Sequence, residues 1–492
     1  MALFRNRPAL VLAAVLAGIG ILLLVYSQTI AFTWDAGFHL LATQMILAGK
    51  RPYLDFIFPQ TPLNVFWMAF WMRLFGQSWR VAQALAGIEL TGAVVLASTF
   101  VFQRFPAVRW RLAAATATAV LYGLNELVFR FGAIAQAYAI CMLLTVAAFR
   151  LAVGTPERSG IWRPALAGCL TGAAAGCSML SAMASPAMLA WIVLYSRRGN
   201  RWLKGAAFLA AAAIPFVPVA RLYLEAPMQT WFNVFQYQLA YRHAVWGNTV
   251  GHDLGQMSAW LDSAQAMALF LFAAACGWWI RGGECDATLR RELYLSAWLA
   301  LALGLEVALA RPTFARYFVL AAPFVAILAG PGFCEATKRL RGPLAGTLLP
   351  SVLLILLMIF GGARELWDER DLYRWKDLEK VAARIRQIAP AHGLLYAEEP
   401  LYFLLRQDPP EGMQFAYSRE LELPPAQSAQ LHIVSQKVMD DRVTAGVFDL
   451  VEVCLDQDTV DRLKLKTLYR KTEEIEYCDL FWDRASGLEG SR

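Results

Sequence analysis

The chain has 492 residues, 58% hydrophobic and only 17% charged, whereas a soluble chain carries about 45–50% and 25%, so an ordinary soluble protein is excluded. The net charge of +7 hides a split: residues 1–362 hold 27 Lys/Arg against 13 Asp/Glu, and residues 363–492 hold 18 against 25. A basic membrane part, 1–362, is therefore expected to join an acidic domain, 363–492; its basic residues lie in short loops between apolar runs, a sign of topology and not of nucleic-acid binding.

The first apolar run, residues 8–30, has the look of a signal peptide, but no small-residue cleavage site closes it, so it reads as a retained span. A long aromatic loop, residues 31–80, follows. Within it, 62–75 is apolar for about 14 residues, too short to cross, and is expected to lie along the interface. Runs approaching the roughly 20 residues a crossing needs then occupy 81–103, 112–128, 132–150, 164–181, 182–196, 203–224, 264–281, 293–310, 315–332 and 344–362. The two short runs between Arg163 and Arg197 have basic flanks on both sides. Parity therefore allows two crossings or none, and two short ones, turning near residues 181–186, fit best. About eleven spans result.

Arginine and lysine placement gives the orientation. Arg5, Arg7, Arg104, Arg109, Arg111, Arg150, Arg158, Arg163, Arg197, Arg198, Arg201, Lys204, Arg281, Arg290, Arg291, Lys338, Arg339 and Arg341 fall in one set of loops, which makes 18 of the 27. The N-terminus is then cytoplasmic. An odd number of spans places the tail outside, in a plasma (inner) membrane setting. A second external loop, about 225–262, holds Tyr241, Arg242, His243, Trp246, His252 and Asp253.

In the tail, 372–388 reads as a helix and 394–397, 448–455 and 474–482 as strands, a small α/β domain. Eight cysteines are too few for a disulfide framework. Cys141, Cys169, Cys177 and Cys276 read as small hydrophobes within apolar runs. Cys454 and Cys478 either pair or remain two buried thiols.

Ionisable groups within spans are costly and usually paired or functional. Glu89, Glu126 and Glu306, with Gln136, all fall in the outer halves of their helices. They suit either an outward-opening polar cavity or ordinary snorkelling near the interface. In the first loop Asp35 and Asp55 are the only acids before Glu89. An acid just past a membrane exit, beside aromatics such as Trp34 and near His39, suits general-base work. It equally suits a helix cap at Asp35 and a turn at Asp55. Lys50, Arg51, Arg242, His243, Arg311 and Arg316, beside Tyr317, are the external groups able to hold a phosphate; anchoring to lipid headgroups is the plainer role for Arg311 and Arg316. His39, His243 and His252 could hold a divalent cation with Asp55 or Asp253, although no ligand spacing supports it, so no cofactor is assigned and a divalent cation stays open. Gly168, Gly172 and Gly176 make small-residue steps suited to helix packing. No phosphate-binding Gly-x-x-x-x-Gly-Lys-Ser/Thr loop and no Gly-x-Ser-x-Gly elbow occur.

The segments Thr33-Trp34-Asp35-Ala36-Gly37, Ala48-Gly49-Lys50-Arg51-Pro52-Tyr53-Leu54-Asp55-Phe56 and Pro62-Leu63 together resemble the first extracytoplasmic loop of the C-class (GT-C) glycosyltransferases. That family includes protein O-mannosyltransferases and lipid A aminoarabinose transferases. Ala315-Arg316-Tyr317-Phe318 with Pro323, and Leu395 to Leu404 in the tail, resemble later segments of such proteins. The resemblance implies an all-α polytopic membrane domain followed by a small extracytoplasmic α/β domain. It implies a transferase that moves a sugar from a polyprenyl-phosphate donor to a lipid, glycan or protein acceptor on the outer side, usually with inversion. Asp35 would be the base. Many members carry a second acid directly after the first, where this chain has Ala36, and Asp55 could supply that carboxylate. The competing reading is a transporter or flippase of lipid-linked precursors, which would favour broken spans in matching halves and midplane charges.

Overall fold

Hydrocarbon offers the backbone no hydrogen-bond partners, so an apolar run crosses it as a helix. The computed structural model describes residues 7–108, 110–156, 160–282, 285–338, 348–368, 374–390 and 393–485. Arg5, Arg109, Arg158, Arg339 and Arg341, used above for orientation, lie outside the described residues. Six described helices are long and apolar enough to cross a membrane: Arg7–Thr29, Trp79–Arg104, Arg201–Glu225, Ala264–Arg281, Ala287–Leu309 and Leu349–Asp368. Arg111–Gly123 and Glu126–Gly132 together make a seventh, bent by 57°. Tyr138–Val153, Met179–Tyr195 and Ala322–Thr337 are shorter apolar helices, and Trp162–Cys177 is a helix of 16 residues.

The bend falls within the run read from sequence as 112–128, and the helix of the run read as 132–150 begins at Tyr138. The helix restarts at Glu126, whose N–H is taken by Gln265 Oε1 at 2.7 Å. Farther on, the Ala135 N–H goes to Gln83 Oε1 at 2.9 Å. Side-chain amides replace the missing helical bonds, which makes a break tolerable within protein at membrane depth.

The chain divides into two compact units. The first comprises Met1–Ala31, Gln83–Pro218 and Asn248–Asp371. Helix Ala322–Thr337 is buried along nearly its whole length and is apolar on every side, as a central helix must be. Gly168 and Gly172 face the backbone of Phe208 and Ala212, with no room for a Cβ. At one end Arg104 grips the buried Glu292 through Nε at 2.7 Å, so the buried charge is paired.

The second unit comprises Phe32–Ala82, Val219–Gly247 and Leu372–Arg492. The first loop supplies helices Trp34–Leu47 and Leu63–Phe75. The latter buries Asn64, Val65, Met68, Ala69 and Met72 and exposes Trp67, Phe70, Leu74 and Phe75, the two-faced pattern of an interfacial helix. The tail carries helix Trp375–Ile388 and strands β1 (Leu395–Tyr396), β2 (Leu450–Cys454), β3 (Tyr469–Ile475) and β4 (Cys478–Arg484). Their order is β1-β2-β4-β3, with β1 parallel to β2 and the other pairs antiparallel. The single strand expected at 474–482 is instead the end of a hairpin. Glu476, at φ 55°, turns the chain in the left-handed region. Cys454 and Cys478, partners in the β2–β4 register, are joined as a disulfide.

Candidate functional site

Asp35 stands in the first turn of helix Trp34–Leu47, just after the extended N-cap Thr33. A carboxylate there meets the positive end of the helix. The following residues, Ala36 to Met45, are all buried, whereas Asp35 is half-buried. His39, one turn on, places Nδ1 2.7 Å from the Asp35 carbonyl oxygen and Nε2 3.0 Å from the Gln60 side chain. Burial holds its pKa below the ordinary imidazole value, against the upward pull of those partners and of the Asp35 charge. A neutral ring then donates through Nδ1, and a half-turn of the Gln60 amide offers Nε2 its donor. His39 is thus a brace between the Asp35 turn and the next part of the loop.

Lys50, Arg51 and Asp55 come together in a tight turn. Asp55 Oδ2 accepts from the Arg51 backbone at 2.7 Å and from Arg51 Nε at 3.3 Å. Burial alone would raise the Asp55 pKa, but these bonds outweigh it and hold the carboxyl below its ordinary value. Arg51 also pairs with Glu225 at 3.1 Å, and Lys50 with Asp408 at 2.8 Å. Tyr53 takes φ 73° and donates its hydroxyl to the Gln60 carbonyl at 2.6 Å. Asp55 therefore fills the turn role, and both cations have carboxylates beside them. The Arg242 and His243 side chains lie outside the described residues.

The first unit contains a cavity of about 300 Å³ lined by Glu126, Arg130, Gln256, Trp260, Phe314 and Arg316, among others. Glu126 and Arg130 lie four apart on helix Glu126–Gly132, on one face. Gln256 and Trp260 have the same spacing on Val250–Leu261. Arg316 opens the short 3-10 segment Ala315–Leu320, its guanidinium 4.6 Å from the Phe314 ring centroid and 5.8 Å from that of Tyr317. The segment is tethered by Ala315 N–H to Gln256 Oε1 at 3.1 Å and by Thr313 N–H to Asp253 Oδ1 at 2.8 Å. Two guanidiniums against one carboxylate leave the lining one positive charge in excess, and guanidinium geometry suits phosphate.

Of the spans' polar residues singled out from sequence, Glu126 lines this cavity. Glu89 is buried within helix Trp79–Arg104, whereas Gln136, expected in a helix, is buried in the non-helical bend between Gly132 and Tyr138. Glu306 accepts the Met183 N–H at 3.1 Å, completing the start of helix Ala184–Tyr195. Arg311 is exposed. Arg130 and Gln256 escaped the sequence reading, although Arg130, one turn after an intramembrane acid, carried a usable signal.

A second set of groups was also missed. Glu398, Glu399 and Glu452 come together in the tail, and the Arg419 charge acts on Glu398 and Glu399. Glu452 accepts the Glu398 N–H at 3.1 Å, and Glu399 accepts that of Ala416 at 2.6 Å. Arg419 donates to the Tyr396 hydroxyl at 3.1 Å and to the Gly412 carbonyl at 3.2 Å. Burial pushes all three carboxyls up, that of Glu452 to about 8. Among the described residues, the one grouping with metal-ligand proximity is Glu452, Cys454 and Cys478, with ligand atoms within 4.8 Å of one another. Its two sulfurs are bonded to each other, so they supply no thiolates and the set does not fit a metal. His39 and Asp55, considered above as cation ligands, are taken up by the contacts already described.

No protein-family model matches the sequence, and no curated protein matches it. Solved structures do. ArnT from Cupriavidus metallidurans bound to undecaprenyl phosphate superposes with a TM-score of 0.68 at 14% identity, over 99% of this chain and 100% of that one. The same protein in the apo state gives 0.69 at 14% identity, over 98% and 100%. The Archaeoglobus fulgidus oligosaccharyltransferase in complex with zinc and sulfate gives 0.54 at 14% identity, over 90% and 68%. The chain has the GT-C fold along its whole length.

Proposed function

We propose that this chain is a multi-pass membrane glycosyltransferase that moves a sugar from a polyprenyl-phosphate donor to an acceptor on the extracytoplasmic side, with about eleven crossings and the tail outside. The observation that carries the reading is the membrane unit's cavity, where Arg130 and Arg316 place two guanidiniums among aromatic walls. A leaving phosphate gathers negative charge, and preorganised cations in an apolar setting stabilise that charge most where it develops. The undecaprenyl phosphate bound to ArnT supports the same class of ligand.

Asp35 takes the proton from the acceptor's hydroxyl or amine as that group bonds to the sugar's anomeric carbon. The carbon–oxygen bond to phosphate breaks, the lipid phosphate departs with the electron pair, and the anomeric centre inverts. Arg316, with Arg130, holds the phosphate, and Tyr317 flanks Arg316. Asp55 with Arg51 and Lys50 shapes the loop that carries the base.

The test compares envelope lipids and glycans by mass spectrometry from cells with and without the chain, and from cells carrying Asp35→Asn. The variant is expected to insert at the wild-type level and to lose transferred sugar by about 100-fold or more, the usual scale for removing a general base. Full product from Asp35→Asn removes the base assignment. Movement of a lipid-linked precursor across sealed vesicles, with no new glycosidic bond, would establish the flippase reading instead.

A further inference from the structure

We infer that the tail positions the reaction's base: the Pro400 ring, seated on Gly37, sets where the Asp35-bearing helix lies, making Gly37 and Pro400 positioning residues for the transfer. The inference rests on the reading of Asp35 as base.

Gly37 is buried within helix Trp34–Leu47, two residues after Asp35. A Cβ there would lie 2.5 Å from Pro400 Cγ, 2.7 Å from Cδ and 3.2 Å from the Pro400 backbone nitrogen. Such distances are too short for carbon contacts. Nor can the obstacle swing aside, because the proline ring is tied to its own backbone. Pro400 is itself set near the start of helix Glu399–Leu405, a position that suits its locked φ. By contrast, a Cβ on Gly49 or Gly76 elsewhere in the same unit would meet nothing within 4 Å. The two residues lie in separate segments that drew attention in the sequence, and they meet at atomic contact.

Further contacts to the tail follow along the same stretch. Phe38 meets Phe415 edge to face at 4.9 Å. Gln44 Nε2 donates to the Gln407 carbonyl at 2.9 Å, a contact spanning 363 residues. Lys50 pairs with Asp408 at 2.8 Å, and His432 Nε2 lies 2.7 Å from the Leu54 carbonyl oxygen. Because a helical turn is stiff, displacement forced at Gly37 reaches Asp35. A misplacement of about 1 Å at a reacting group costs on the order of 100-fold in rate.

The test uses the full-length chain in lipid nanodiscs, with the polyprenyl-phosphate sugars extracted from its own membranes as donor, and measures initial rates of product against donor concentration. Gly37→Ala is expected to lower apparent kcat by about 10- to 100-fold with donor KM within about twofold. Pro400→Ala, which removes the ring carbons, should lower kcat only about threefold. The double variant should return to the Pro400→Ala level, a rescue that general damage to folding would not give. Wild-type kcat in Gly37→Ala, or a loss that Pro400→Ala does not relieve in protein that stays folded by size exclusion, would overturn the inference. If Gly37→Ala fails to fold, Pro400→Ala alone decides, and an unchanged kcat sinks the inference. Activity retained in Asp35→Asn would instead remove the base reading, while the Gly37–Pro400 relation would still be measurable.

Discussion

Glu452 and His39 pull stability in opposite directions with pH. The Glu452 carboxyl is pushed to about 8, first by burial, with the Glu398 N–H pulling it back and the Glu399 charge pushing it further. A folded-state value above the unfolded one, roughly 4.3, gives stability that is complete below the unfolded value and lost as pH rises through about 8. His39 is buried with a lowered value, so its contribution is present above the unfolded imidazole value, about 6.5, and is lost as pH falls. The second unit, which holds both groups, should therefore lose stability toward acid through His39 and toward alkali through Glu452. Glu452→Gln keeps an oxygen for the Glu398 N–H and removes the charge. Its thermal midpoint should fall less steeply than the wild type's from about pH 6.5 to 8, the raised Glu398 and Glu399 carboxyls remaining in both, and equal slopes for the two proteins would refute the assignment. None of this was visible in the sequence: Glu452 lies 54 residues beyond Glu398, and only the fold brings the two together.

At the level of elements, apolar periodicity carried most of the information. The packing role of Gly168 and Gly172 was legible, because their spacing is a feature of residues close in sequence. The hairpin between β3 and β4 was not, since alternation runs on through Glu476 and Tyr477 with no Gly, Asn or Pro to mark the turn. The bend after Gly123 was hidden for another reason. Gln265 and Gln83, which take the exposed backbone N–H groups, come from distant helices. Where the glycines are concerned the structure makes a sharper statement than spacing could. Gly168→Leu and Gly172→Leu each drive a side chain into the backbone of the helix carrying Phe208 and Ala212, and overpacking of that kind costs about 1–3 kcal/mol or more. Both should lower the yield of folded protein and its thermal midpoint in detergent. Gly277→Leu, where a Cβ meets nothing within 4 Å, should do neither. A uniform response at all three positions would show that helix propensity, not close approach, decides.

For the whole molecule the shared second unit constrains topology more tightly than charge counting does. Phe32–Ala82, Val219–Gly247 and the tail belong to one compact unit, so the proposed topology, with all three on the extracytoplasmic side, would require an even number of crossings between each and the next. Between the first loop and Val219–Gly247, the long helices and the bent pair among the described residues provide three crossings. The shorter helices must therefore add one or three, and the basic clusters at both ends of this stretch favour three. Between Gly247 and the tail the long apolar helices again number three, so on the proposed topology Ala322–Thr337 would cross as well. At 1.5 Å per residue its 16 residues span about 24 Å, short of a core of about 30 Å. The preceding 3-10 segment Ala315–Leu320 adds about 12 Å at 2.0 Å per residue, which closes the gap and places Arg316 toward the end of that crossing, where a guanidinium is tolerated. Reporter fusions after Leu40, Gly247 and Leu450 should all give the extracytoplasmic signal, and fusions after Arg198 and Gly282 the cytoplasmic one. A fusion after Gly282 that matches the one after Gly247 would mean that Ala264–Arg281 does not cross, and the eleven-span arrangement would fall with it.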